Sequence, residues 1–136
     1  MRDLWSVNVA PTDVLRETKR VSTDNQSAID VILNSFTDER TLIPVIAQDA
    51  VNNQVLMLAW MNRAAFQQTI ATKRATYWSR SRSSLWVKGE TSGNIQELVS
   101  LSFDCDADSI LIRVTQHGPA CHTGQSICFH NSVELP

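Results

Sequence analysis

The run Leu42-Ile43-Pro44-Val45-Ile46-Ala47-Gln48-Asp49, followed shortly by Gln54-Val55-Leu56-Met57-Leu58-Ala59, decides the fold. Residues 43–47 and 54–59 read as strands. Asn52 and Asn53 between them tolerate the left-handed backbone of a tight turn, so the two runs form a hairpin. Asn62 then supplies the side chain of a helix N-cap. The helix runs from it to about Lys73, with Phe66, Thr69 and Ile70 on one face and Lys73 and Arg74 near the end where the helix dipole favours cations. Short segments separated by turns follow at 75–79, 85–88, 95–103, 109–115 and 127–130, each read as a strand. Upstream, Ile29, Ile32, Leu33 and Phe36 recur at helical spacing and predict an amphipathic helix over 24–36, with Thr23 and Gln26 or Ser27 and Asp30 as a capping box. This helix is expected to pack on the domain or on a partner. The expected class is α+β and β-rich, a small barrel-like antiparallel sheet capped by one or two helices. Residues 1–40 are expected to be an N-terminal extension, and 41–136 the functional domain.

With 136 residues, 43% of them hydrophobic and 19% charged, the chain suits one soluble domain with a real core. The opening Met-Arg-Asp-Leu-Trp-Ser-Val-Asn holds no signal-peptide run, and the longest apolar stretch, 55–61, is far too short to span a bilayer. Three cysteines cannot all pair within one chain. Without an export signal, reduced thiols in a cytoplasmic protein are expected. A net charge of −2 argues against a nucleic-acid or membrane-surface partner. That average hides an asymmetry. No acidic residue lies between Asp49 and Glu90, whereas Arg63, Lys73, Arg74, Arg80, Arg82 and Lys88 do. Such a local basic surface suits a small phosphorylated ligand better than a long polyanion.

Within that span, Tyr77-Trp78-Ser79-Arg80-Ser81-Arg82-Ser83-Ser84-Leu85-Trp86 interleaves guanidiniums, hydroxyls and aromatics. On an extended segment Arg80 and Arg82 share a face, and an anion between them would relieve their repulsion. Trp78 or Trp86 offers a stacking surface for a base, with a half-buried core position as the equal alternative. Lys88-Gly89-Glu90-Thr91-Ser92-Gly93 is a polar, glycine-punctuated loop able to close over a ligand, which adds Lys88, Glu90 and Ser92 to the candidate substrate contacts.

The metal-ligand residue types crowd the C-terminal third. Cys105, Cys121 and Cys128 lack the CxxC spacing of a zinc finger, yet two of them stand beside Asp or His. Three thiolates would leave one tetrahedral position on zinc for water or for His122, which could serve as a base instead; an open position marks a catalytic site and a closed one a structural site. His117 and His130 lack such a neighbour pattern and read as ordinary surface histidines. In an extended segment Asp104, Asp106 and Asp108 share one face and Cys105 the other. The carboxylates would repel one another unless a hard cation such as Mg²⁺ joined them. A solvated acidic turn is the bland alternative.

Taken together, LIPVIAQD at 42–49, VLMLAWMN at 55–62, YWSRSR at 77–82, LWVKGETSG at 85–93, DCDAD at 104–108, and ACHTG at 120–124 with Cys128 and Phe129 closely resemble the phosphoribosyl-AMP cyclohydrolase family of histidine biosynthesis. The resemblance covers about residues 40–130 in collinear blocks. It implies a zinc-dependent hydrolase opening the purine ring of 1-(5-phosphoribosyl)-AMP at the N1–C6 bond. It implies zinc on Cys105, Cys121 and Cys128, a homodimer with the zinc site assembled from both subunits, Mg²⁺ on Asp104, Asp106 and Asp108, and a catalytic role for His122. Arg80, Arg82 and Lys88 are assigned to phosphates from charge alone. Two departures stand out. Ile127 replaces the serine that commonly precedes the last family cysteine, and the chain, ending at Pro136, is expected to lack the pyrophosphohydrolase domain many relatives carry. A cytidine-type zinc deaminase would need H-x-E and P-C-x-x-C, and the sequence has neither.

Overall fold

Strand β1 (Ile43–Asp49) is the hub of the main sheet. In the computed structural model, which describes residues 14–136 and side chains from Asn25 onward, β1 pairs antiparallel with β2 (Val55–Met61) and parallel with β6 (Ile110–Gln116). β5 (Gln96–Phe103) joins β6 antiparallel, giving the order β2-β1-β6-β5. The alternation of the sequence is realised directly: Ile43, Val45 and Ala47 point into the core with Ile110, Ile112 and Val114 from the neighbouring strand. The β1–β2 turn closes as its residues suggest. Asp49 Oδ1 accepts the backbone N–H groups of Val51 at 2.8 Å and Asn52 at 3.2 Å, and Asn53 adopts the left-handed conformation with φ 64°.

The barrel expectation fails, and so does the all-antiparallel one, because β1 and β6 run parallel. Closure would require β2 and β5 to pair. The C-terminal segment lies on β2 instead, through Cys128 N–H to the Leu56 carbonyl at 2.7 Å. β5 meets the chain at Lys73 and Arg74 through Leu98 N–H to the Lys73 carbonyl at 2.8 Å and a bridge between Arg74 and Glu97. Residues 127–130 form no strand; the bond at Cys128 holds them. The remaining strands, β3 (Thr76–Ser79) and β4 (Ser84–Val87), make a separate two-stranded sheet.

Helix α1 (Val14–Ser35) is longer than its apolar stripe. Ser27 and Asp30 therefore lie inside it and are not a cap; the side chain of Thr23 and the N-terminal residues read for an export signal lie outside the described residues. Ile32 and Phe36 are fully buried in the common core, Phe36 against Phe66 with ring centroids 5.9 Å apart. Each such burial contributes about 1.5–3 kcal/mol. Helix α2 (Arg63–Thr72) starts at Asn62 as expected, with Asn62 Oδ1 accepting the Ala65 N–H at 2.8 Å. Arg63 donates from Nη2 to the carbonyls of Leu33 and Phe36, so one cation of the acid-free span closes the C-terminal end of α1.

A buried polar relay joins the two sheets. Tyr77 on β3 donates its hydroxyl to Gln96 Oε1 on β5, and Gln96 Nε2 donates to Gln116 Oε1 at 2.8 Å and to Met57 Sδ at 3.4 Å. Burial and the charge on Cys128 push the Tyr77 phenol far above its ordinary range, so it remains a donor. Among the described residues, no helix is long and apolar enough to cross a membrane.

Candidate active site

The small sheet carries one wall of a cavity of about 420 Å³. Arg82, Trp86, Lys88, Glu90 and Ser92 all line it, together with Cys121 and His122. Residues scattered over forty positions of sequence thus converge because β4 delivers Trp86 and Val87 directly into the loop that follows. That loop depends on Gly89. Its φ is +79°, and a Cβ there would meet the backbone carbon of Asn94 at 2.3 Å, a distance no side chain tolerates. A bond from Gly93 N–H to the Gly89 carbonyl at 2.8 Å closes the loop.

Arg80 does not line this cavity. The segment between β3 and β4 is a turn ending in the left-handed Ser83 (φ 48°), so Arg80 and Arg82 do not share a strand face. Arg80 lies over the Trp60 ring, 4.9 Å from its centroid, while Arg82 Nε is anchored on Ser79 Oγ at 3.4 Å. Of the two candidate stacking surfaces, Trp86 lines the cavity and Trp78 does not.

Lys88 is buried, and its Nζ donates to the Ala120 carbonyl at 2.7 Å. Burial pushes its pKa down, opposed by the charges of Cys128 and Cys121. Its ammonium is thus committed to the carbonyl of the residue before Cys121, although Lys88 is among the residues that line the cavity.

Cys121 is an activated thiol. The Thr123 hydroxyl donates to its Sγ at 3.0 Å, and with the Thr123 backbone N–H this brings its pKa down to about 6, against the cost of burial. Cys128 is its neighbour and is pushed up, by burial first and then by the charge on Cys121. The opposed shifts favour the thiolate at Cys121 over that at Cys128. His130, which the sequence gave no reason to single out, brings Nε2 to 3.8 Å from Cys121 Sγ. The useful sequence signal was at Thr123, a hydroxyl two positions beyond a cysteine.

Cys105 is elsewhere. It is exposed on the β5–β6 turn, at the opposite end of β6 from the segment leading to Cys121. The three thiols do not converge within one chain: among the described residues, the one group of metal-ligand side chains gathered within 4.8 Å is Asp104, Asp106 and Asp108. These aspartates meet because the backbone turns, and strand alternation plays no part. Asp104 Oδ1 accepts the N–H groups of Asp108 at 3.0 Å and Ser109 at 3.1 Å, with Ala107 left-handed at φ 58°.

In this turn, hydrogen bonds from the Asp108 side chain and the Ser109 and Asp108 amides outweigh desolvation and hold Asp104 below the usual carboxyl range. Asp108 is raised to about 6 by sharing protons with Asp104 and Asp106. A folded-state pKa above the unfolded value of about 3.9 means that the turn favours the protonated carboxyl, an advantage lost as pH rises through about 6. Two results are expected. Were the turn to hold a divalent cation such as Mg²⁺, its affinity, read by titration calorimetry, would fall roughly tenfold per pH unit below about 6. In chelator at pH above 7, Asp108→Asn melts slightly higher than wild type, and any rise in Tm that Mg²⁺ gives the wild type is smaller in the variant; a lower Tm in chelator would contradict the assigned repulsion.

Comparison with known proteins decides the family. Residues 57–130, more than half of the chain, match the family model described as phosphoribosyl-AMP cyclohydrolase. Similar proteins bearing that name include one from Hyphomonas neptunium, 60% identical over 97 residues covering 71% of this chain and 74% of the relative. One from Roseobacter denitrificans is 57% identical over 96 residues, 71% and 75% of the two chains, and one from Dinoroseobacter shibae 53% over 96 residues, 71% and 81%. The chain belongs to the phosphoribosyl-AMP cyclohydrolase family. As a cyclohydrolase-family member it is an enzyme, a hydrolase acting on a C–N bond. The span matched to the cyclohydrolase model holds the cavity wall, the aspartate turn and all three cysteines.

Proposed function

We propose that this chain is the zinc-dependent phosphoribosyl-AMP cyclohydrolase of histidine biosynthesis, a cytoplasmic homodimer that opens the purine ring of 1-(5-phosphoribosyl)-AMP at the N1–C6 bond. The catalytic unit is 41–136, and the N-terminal extension supports it through Ile32 of α1 and Phe36 just beyond it. The single observation that carries the reading is the shared cavity, which Arg82, Trp86, Glu90 and Ser92 line together with Cys121 and His122. Its size is that of a small-molecule site. A nucleotide needs there an aromatic face, a cation and hydroxyl donors, and these side chains supply all three.

The donor set fits zinc. Cys121 favours the thiolate that a soft metal requires, Cys128 is beside it, and Cys105 comes from a second copy in this reading because its own chain holds it apart. The aspartate turn suits Mg²⁺. When bound, zinc brings the ionisation of water toward neutral pH. Ribosylation at N1 makes C6 electrophilic. Trp86 holds the base by stacking and Arg82 meets a phosphate. His122, exposed on the cavity wall, takes a proton from the attacking water and returns one to N1 as the C6–N1 bond breaks. The exocyclic nitrogen stays in the product as a carboxamide, so no ammonia leaves.

The test is direct. Zinc-loaded protein with Mg²⁺ is expected to convert phosphoribosyl-AMP, followed by ultraviolet absorbance, with no ammonia in a coupled assay. Untouched substrate, or ammonia released in step with turnover, would reject the assignment.

A further inference from the structure

Lys88 stands out as a buried cation without a carboxylate. Its relative exposure is 7%, and among the described residues no acidic side chain lies within ion-pairing distance of it. Lysine is rarely buried unless its charge is met. Here the ammonium has the Ala120 carbonyl at 2.7 Å and the Trp86 ring at 5.7 Å. Ala120 directly precedes Cys121, and both Lys88 and Cys121 line the same cavity. One backbone acceptor and one aromatic face do not offset a desolvated ammonium; an anion on the adjacent sulfurs would.

From this geometry we infer that Lys88 is a positioning residue of the proposed zinc centre: its ammonium tethers the Ala120 carbonyl, fixing Cys121, and its charge offsets the negative charge of the thiolate ligands. Three thiolates around a dication leave a net negative centre, and a fixed cation beside it favours metal retention. This departs from the phosphate role that charge alone suggested for Lys88, and it rests on Cys121 and Cys128 being zinc ligands.

Three variants separate the tether from the charge. Lys88→Met keeps the stem and removes both functions, Lys88→Gln keeps a donor for Ala120 but not the charge, and Lys88→Arg keeps the charge. Zinc affinity is measured by competition with a chelating dye, alongside kcat and KM of the zinc-saturated enzymes. Lys88→Met and Lys88→Gln are expected to bind zinc about 10–100-fold more weakly, Lys88→Arg to recover most of that loss, and KM to change little. In cobalt-substituted protein, the thiolate charge-transfer band is expected to shift in Lys88→Gln and to return toward the wild-type position in Lys88→Arg. Wild-type zinc affinity in the folded Lys88→Gln protein, or an increase confined to KM, would overturn the inference. Cys121→Ala, run in parallel, keeps the two readings distinct: if it retains zinc, the ligand assignment itself has failed.

Discussion

Mixing metal-free Cys105→Ala and Cys121→Ala proteins, each inactive alone, is expected to restore turnover when zinc is returned. The reason lies in the separation of Cys105, on the exposed β5–β6 turn, from the Cys121–Cys128 pair at the other end of β6. If each zinc centre draws Cys105 from one copy and the pair from its twofold mate, a mixed dimer contains one centre that lacks both Cys105 and Cys121 and one that is wholly wild type. Random exchange makes about half of the dimers mixed, so about a quarter of the centres regain all three ligands and activity approaches about a quarter of wild type. Zinc content should recover in the same proportion. Mixing Cys121→Ala with Cys128→Ala should restore nothing beyond the parent proteins, since both lesions fall on the same side of the centre. Equal recovery from both mixtures, or none from the first despite subunit exchange, would reject assembly across two copies.

The second large effect concerns His122. It is exposed on the cavity wall beside Cys121 and makes no hydrogen bond among the described residues, so its removal leaves the fold and the thiol pair untouched. His122→Ala is therefore expected to keep its zinc and its Tm while kcat falls about 10²–10⁴-fold, the usual worth of a positioned acid or base. KM should move far less. Added imidazole should return part of the rate, which a merely shape-filling histidine would not allow. A kcat within a few-fold of wild type would remove His122 from the proton transfer, and loss of zinc would make it a ligand.

The parts of this molecule that were legible in the sequence are those decided within a few residues. Asn62 caps its helix because an Asn side chain and the amide of Ala65 are three positions apart. The β1–β2 hairpin closes on Asp49 and Asn53 for the same local reason. The parallel pairing of β1 with β6 joins residues more than sixty positions apart and has no local signature. Nor does the apolar stripe at 29–36 mark where α1 begins, since the stripe records burial and the helix extends beyond it to Val14. In the site, residue types pointed to the right chemistry, but their directions did not follow. Strand geometry would have put the aspartates on one face of a β-strand, whereas a turn with Ala107 left-handed gathers them. Arg80 and Lys88 carry equal charge on paper. Folding sends one to the Trp60 ring and the other beneath the cysteines, because partners distant in sequence were waiting there. His130 reaches Cys121 by the path of the chain and not by spacing.

The relay through Gln96 acts as a proofreader of assembly. Tyr77 can give its proton only to an acceptor that stands where the carboxamide of Gln96 stands, and that amide in turn needs Gln116. A slip of β5 by one residue would rotate Gln96 outward and drive Glu97 toward a fully buried phenol, trading a satisfied amide for a stranded charge. Misregistered chains are thus discriminated against by polarity, where apolar packing alone would be forgiving. The small sheet that hangs on Tyr77 also carries Trp86 and leads into Lys88. Fidelity at one buried amide therefore sets the alignment of the cavity wall with the cysteines across from it.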